Sequence, residues 1–197
     1  MDEKQKITTW IKLKLSEIIL QILVVMFSIL IALAVDEWRS TNTQHHIADQ
    51  AHKSILREIQ ENQKELKSGI DSNDSVLTVL IGQIKSNAVR KEGISFSYVQ
   101  LSTAAWQIAQ GTQSLHLIDF SRLIKIAQLY EFQSLYNVSQ SKFVNDLGES
   151  WLGGKETDLK KIQRKGAIQL ATICQLAHEL NKQYSSILCD STSIKTE

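Results

Sequence analysis

Residues 18–35 read IILQILVVMFSILIALAV, eighteen positions without a charge and with only Gln21 and Ser28 polar. At a helical rise of about 1.5 Å per residue the run covers roughly 27 Å, close to the hydrocarbon thickness of a bilayer. Trp10 and Trp38 bracket it, roughly 42 Å apart along a helix, which matches the spacing of the two headgroup zones. Lys12, Lys14 and Arg39 stand just outside the apolar run. Because the run is apolar all round rather than along one stripe, it reads as a membrane-spanning helix and not as a helix covering a soluble core. The competing reading is a cleaved signal peptide, for which Ala32-Leu33-Ala34 offers a small-x-small site. Against it stand the length of the run and Glu17 in the region before it.

Working outward, residues 1–17 hold Lys4, Lys6, Lys12 and Lys14, while the seventeen residues after the span hold only Arg39. The positive-inside rule then puts a cytoplasmic segment at 1–17, the span at 18–35 and everything from 36 outside. In a Gram-negative cell that means an inner-membrane anchor with a periplasmic domain over 36–190, followed by a frayed polar tail at 191–197. Within the span, Gln21, Ser28 and Ala32 fall near one side, and Ser28-x-x-x-Ala32 is a small-residue pair that lets two helix backbones approach.

Beyond the span, Ala48, Ile59, Ile70 and Ile81 recur every eleven residues, as do Ile55, Leu66, Leu77 and Ala88. Eleven residues make three turns at 3.67 per turn, so both sets form one apolar stripe along a very long helix from Asp36 to about Arg90. The intervening face, REIQENQKELK, is charged and amidic. The weak point is Gly69–Ser75, where Asp71, Asn73 or Asp74 offers a cap for a second helix. The stripe keeps its phase across that point, which favours continuity.

Lys91–Phe96 interrupts the pattern, and Ser97 reads as the cap of a helix through YVQLSTAAWQIAQ to Gly111. A helix over 118–137 follows, capped by Asp119 or Ser121, with Leu123, Ala127, Tyr130 and Leu135 as core. Residues 142–152 continue it after a bend, and Gly153-Gly154 marks a loop. The last helix, about 157–188, points Leu159, Ile162, Ile168, Ala171, Gln175 or Leu176, and Leu180 to one side. The chain has no proline and 8 glycines in 197 residues. The fold class is therefore all-α: one transmembrane helix continuing into a long helix, packed with three or four shorter ones.

The span ending at Val35, followed at once by Asp36-Glu37-Trp38-Arg39, resembles an uncharacterised family of bacterial single-span inner-membrane proteins. Ala105-Trp106, the Leu115–Asp119 entry and Tyr130-Glu131-x-Gln133 carry the same resemblance, over about residues 16–140. It implies an inner-membrane anchor with a helical domain outside, and it implies no activity or catalytic residue.

Chemistry is sparse. With 22 basic and 21 acidic residues there is no field to hold nucleic acid. No phosphate loop, paired-cysteine metal motif, His-Glu-x-x-His or nucleophile elbow occurs. His45, Asp49 and His52 share a helix face, with His46 beside them, but helical spacing alone supplies too few ligands for a closed metal site. Arg39 with His45 or His46 loosely matches the Arg/His pairing of helical ribonucleases but lacks a surrounding basic patch. Tyr98, Trp106, Tyr130 and Tyr136 read as packing units before they read as a ligand pocket, and His116 and His178 as isolated polar positions. Cys174 and Cys189, fifteen positions apart, pair only if a turn separates them. The expectation is a membrane-anchored structural or interaction subunit, not an enzyme and without cofactor, contacting lipid and either further copies or a membrane-protein partner. The alternative is a helical ligand-sensing module acting through a partner.

Overall fold

The computed structural model describes the backbone of residues 3–88, 94–112, 115, 117–153 and 159–192, and side chains over those ranges except 3–16, 150–153 and 191–192. Four helices account for nearly all of it: α1 (Glu3–Lys85), α2 (Ala104–Gly111), α3 (Phe120–Gly153) and α4 (Leu159–Thr192). No strand occurs among the described residues, so the all-α reading holds. The chain divides into two compact units, Met1–Ile47 and Ala48–Glu197. The packed helical unit thus begins at Ala48, later than the boundary expected at Asp36. The frayed tail expected at 191–197 falls almost wholly outside the described residues, α4 running to Thr192.

In the first unit the described apolar side chains are exposed. Every large apolar side chain from Ile18 to Val35 is between 47% and 64% exposed. The segment is a helix long and apolar enough to cross a membrane, with a mean hydropathy of 3.0. Its backbone polar groups are satisfied within the helix, which is what a hydrocarbon solvent demands.

In the second unit one core joins α1, the 94–103 segment, α2, α3 and α4. α1 crosses Gly69–Ser75 unbroken, and it ends in a Schellman motif. There the Ala88 amide donates to Gln83 O at 2.9 Å and the Asn87 amide to Ile84 O at 3.2 Å. Asn87 takes the left-handed conformation that motif requires, with φ of 56°. The buried stripe of α1 runs through Ala48, Ile55, Ile59, Leu66 and Ile70, with Leu77 part-buried. Ile81 departs from the expectation: it is 40% exposed, and Leu80 is buried instead. A straight α-helix drifts roughly 20° per eleven residues, so three repeats carry Ile81 about 60° off the face. Ala88 lies beyond the helix end.

Three further expectations are corrected. The helix expected from Ser97 begins only at Ala104, and residues 94–103 form no helix; Ser97, Val99 and Ser102 each turn N–H and C=O toward one side-chain amide, as extended residues do. α3 runs without a break through 142–152; its core is Ile126, Leu129, Tyr130, Tyr136 and Phe143, while Leu135 is 50% exposed. On α4, Ile168 is 69% exposed, and Ala167, Leu170, Ile173, Ala177, Leu180, Tyr184 and Ile187 face inward. Asp119 caps α3 as expected: its Oδ1 accepts the Ser121 hydroxyl at 2.5 Å and the Arg122 amide at 3.0 Å.

Candidate functional site: a buried polar hub and a clamped extended segment

The chemistry-bearing side chains of the second unit converge where the 94–103 segment lies against α1 and α3. An extended residue turns its N–H and C=O to the same side, and a neighbouring strand ordinarily meets both. Here primary-amide side chains do so, each supplying one acceptor and one donor. Asn73 Oδ1 accepts the Ser97 amide at 2.9 Å while its Nδ2 donates to Ser97 O at 3.0 Å. Gln140 holds Val99 in the same way, at 3.0 and 2.9 Å. Asn62 holds Ser102 at 2.8 Å in both directions. Three amides thus replace the strand that this segment lacks, and all three are buried.

At the C-terminal end of the segment the clamp merges into a hub around Glu58, a carboxylate only 7% exposed. Glu58 Oε1 accepts the Tyr130 hydroxyl at 2.6 Å. Its Oε2 accepts the Ser102 hydroxyl at 2.7 Å and the Ala105 amide at 2.9 Å. Ala105 lies in the first turn of α2, where Thr103 makes no side-chain cap, so a glutamate from another helix caps α2 and faces the positive end of its dipole. Gln133 Nε2 donates to Ser102 O at 2.8 Å, and its Oε1 accepts the Tyr184 hydroxyl at 2.6 Å. Burial, and then the Glu58 carboxylate, push the Tyr130 and Tyr184 phenols well above the ordinary tyrosine range. Both phenols stay protonated near neutrality and donate. Trp106 stacks on Tyr130 with ring centroids 5.3 Å apart and planes 6° from parallel, which makes it a packing unit and not a pocket wall.

A second cluster brings an acid, a histidine and a thiol together. Asp74 Oδ2 meets His178 Nε2 at 2.8 Å, and the Cys174 thiol bonds to Asp74. Cys174 is buried, and burial followed by the bond to Asp74 pushes its thiol up to about 12. The raised value favours the thiol form at neutral pH, whereas nucleophilic attack needs the thiolate. Cys189 lies on the same helix, roughly 22 Å along it, beyond disulfide reach.

Among the described residues no three His, Cys, Asp or Glu side chains come together to hold a metal ion. His45 and His46 are exposed, Asp49 pairs with Lys53 at 2.6 Å, and His52 is half-buried. Burial, then the Arg122 charge, hold His52 below the usual histidine range. Two surface clefts, of about 450 and 660 Å³, border Phe132 between α3 and α4.

In the span, the Ser28 hydroxyl donates to Val24 O at 2.8 Å, so its polar group is met inside its own helix and only its small size is left for packing. Gln21 and Ala32 are exposed beside it, as are Trp38 and Arg39 at the expected outer interface. Trp10, Lys12 and Lys14, expected at the inner interface, lie outside the residues whose side chains are described, as does His116.

Sequence reading placed Glu58 and Asn62 on the solvated face, yet Glu58 falls three positions after Ile55, and Asn62 three after Ile59 and four before Leu66, at stripe spacing. That spacing was the available signal. No family model, curated protein or solved structure matches this chain.

Proposed function

We propose that this protein is a membrane-anchored helical interaction subunit, held by residues 18–35 with its N-terminus in the cytoplasm and its helical unit in the periplasm of a bacterial inner membrane. It assembles with further copies or with another membrane protein, in keeping with the bacterial single-span family it resembles. The observation that carries the reading is the pairing of an apolar helix exposed on every side with a helical unit whose polar centre is closed by its own hydrogen bonds. Such a centre suits a scaffold: the described side chains of the hub meet protein partners through hydrogen bonds of their own. The span supplies the contact face, with Ser28 and Ala32 allowing close approach and Gln21 offering the one amide in hydrocarbon.

Single cysteines placed at 21, 25, 28 and 32, and separately at 23, 27, 30 and 34, test this in native membranes. The first set crosslinks to a neighbour and the second does so weakly. Equal crosslinking of both sets, or none, would leave a lone anchor and remove the assembly role.

A further inference from the structure

α3 buries one side in the core and leaves another uncovered. Gln128, Glu131, Leu135, Val138, Lys142 and Asn145 follow one another in steps of three, four, three, four and three residues. That spacing keeps side chains on one face of a helix. All six residues are exposed. Leu135 and Val138, at the middle of the run, are 50% and 61% exposed. Neither Glu131 nor Lys142 is in an ion pair among the described residues.

The run is complementary to itself about the point between Tyr136 and Asn137. Turned end over end and laid on itself, it sets Leu135 against Val138, Glu131 against Lys142 and Gln128 against Asn145. Apolar meets apolar, acid meets base and amide meets amide, and a two-fold axis makes each pair twice. A parallel pairing in register would set Glu131 against Glu131 and Lys142 against Lys142, and like charges so opposed repel.

We infer that this face of α3 docks on the same face of a second copy, antiparallel, and that the pair ties two membrane surfaces together. The second half follows from connectivity. Within the helical unit α3 runs in the same direction as α1: Tyr130 meets Glu58 at 2.6 Å, and Gln133 meets Asn62, four residues further along α1, at 3.3 Å. The chain enters the unit at the Ala48 end of α1. Antiparallel copies are therefore entered from opposite ends, and their anchors lead to two facing bilayers rather than to one. A single helix face is a small contact, and many copies on each surface make it effective by acting together. The inference rests on the anchored reading but not on the packing face of the span.

Charge exchange tests the register. The full-length chain is reconstituted into two populations of phosphatidylcholine vesicles carrying different dyes, and two-colour coincidence reads clustering between them. Wild type on both populations clusters. Glu131→Lys on both clusters about tenfold less, because each of the two ion pairs becomes a repulsion. Glu131→Lys combined with Lys142→Glu, on both populations, recovers the wild-type extent. Wild type facing that double variant does not, since acid then meets acid and base meets base. Both positions are exposed, so every variant keeps the wild-type melting curve. No clustering by wild type, clustering unchanged by Glu131→Lys, or mixed populations that cluster as well as matched ones would overturn the contact. A chain that fails to float with the vesicles in a density gradient would instead break the anchored reading, and the tether with it.

Discussion

Residues 18–35 and residues 55–73 are both stretches of α1, and they treat polar groups in opposite ways. The first carries two polar side chains in eighteen positions and exposes all its apolar ones. The second buries Ile55, Ile59, Leu66 and Ile70 and, between them, Glu58, Asn62 and Asn73. A helix facing lipid satisfies its backbone internally and needs nothing else. A helix building a water-soluble unit has surplus side-chain donors and acceptors, and here it spends them on a segment with no sheet to join. The same backbone conformation thus carries both an apolar run long enough to cross a membrane and a stripe that builds a packed core, and the side chains make the difference.

The sharpest way to break this contrast is one substitution made in both stretches. Ile59→Asp puts an unpaired carboxylate at a fully buried position, which costs several kcal/mol and unfolds the second unit. Leu30→Asp, at an exposed position of the span, leaves the circular-dichroism melt of that unit unchanged. It lowers the membrane-bound fraction instead, since Asp at a span centre costs about 2.5–3.5 kcal/mol. Loss of the melt in both variants would erase the distinction between the stretches.

A smaller effect separates two glutamates three positions apart. Tyr130→Phe removes one of the three donors to Glu58 and lowers stability by about 1–3 kcal/mol in a denaturant titration. Glu61→Gln, which breaks only an exposed pair with Arg57 at 3.0 Å, changes it by less than about 0.5 kcal/mol. Similar values for the two would mean that the Glu58 hub contributes no more than a surface contact.

The hub was largely illegible in the sequence, and the reason is physical. Periodicity reports where apolar residues recur, and it found a helix long and apolar enough to cross a membrane and the continuity of α1 through Gly69–Ser75; residue type offered Asp119 or Ser121 as the cap, and Asp119 fills it. It does not say that a carboxylate between two stripe isoleucines will be buried, because burial depends on donors from Ser102, Ala105 and Tyr130, distant in the chain. The extended segment had a readable mark. Ile94-Ser-Phe96-Ser and Val99-Gln-Leu101-Ser alternate with the period of a strand. That signal lost to the apparent Ser97 cap and to the absence of a second strand. Leu135 and Ile168 were misplaced for a simpler reason than the slow drift at Ile81: one residue of phase error moves a side chain by about 100°.

Smaller still is the contrast between the two thiols. In the native protein at pH 8, a maleimide modifies Cys189, which is exposed, and spares Cys174, which burial holds as a thiol with its pKa raised to about 12. Mass spectrometry finds one adduct before denaturation and two after; two adducts in the native protein would mean that the α4 core is open. The mildest effect is on pH. Hydrogen bonds from the Ser121 hydroxyl and the Arg122 amide hold Asp119 below the usual carboxylate range. A depressed folded-state value means that the cap's contribution is present above the unfolded carboxylate pKa and is lost as pH falls through the folded one. Amide exchange at Arg122 therefore accelerates below about pH 4 relative to amides in the middle of α3.

The claim on which the rest depends is that residues 18–35 remain in the protein and hold it in a bilayer. Intact-mass analysis of the full chain recovered from alkaline-washed membranes tests it directly. The predicted result is a membrane-retained species whose mass includes residues 18–35. A soluble species beginning at Val35 or Asp36 would contradict it.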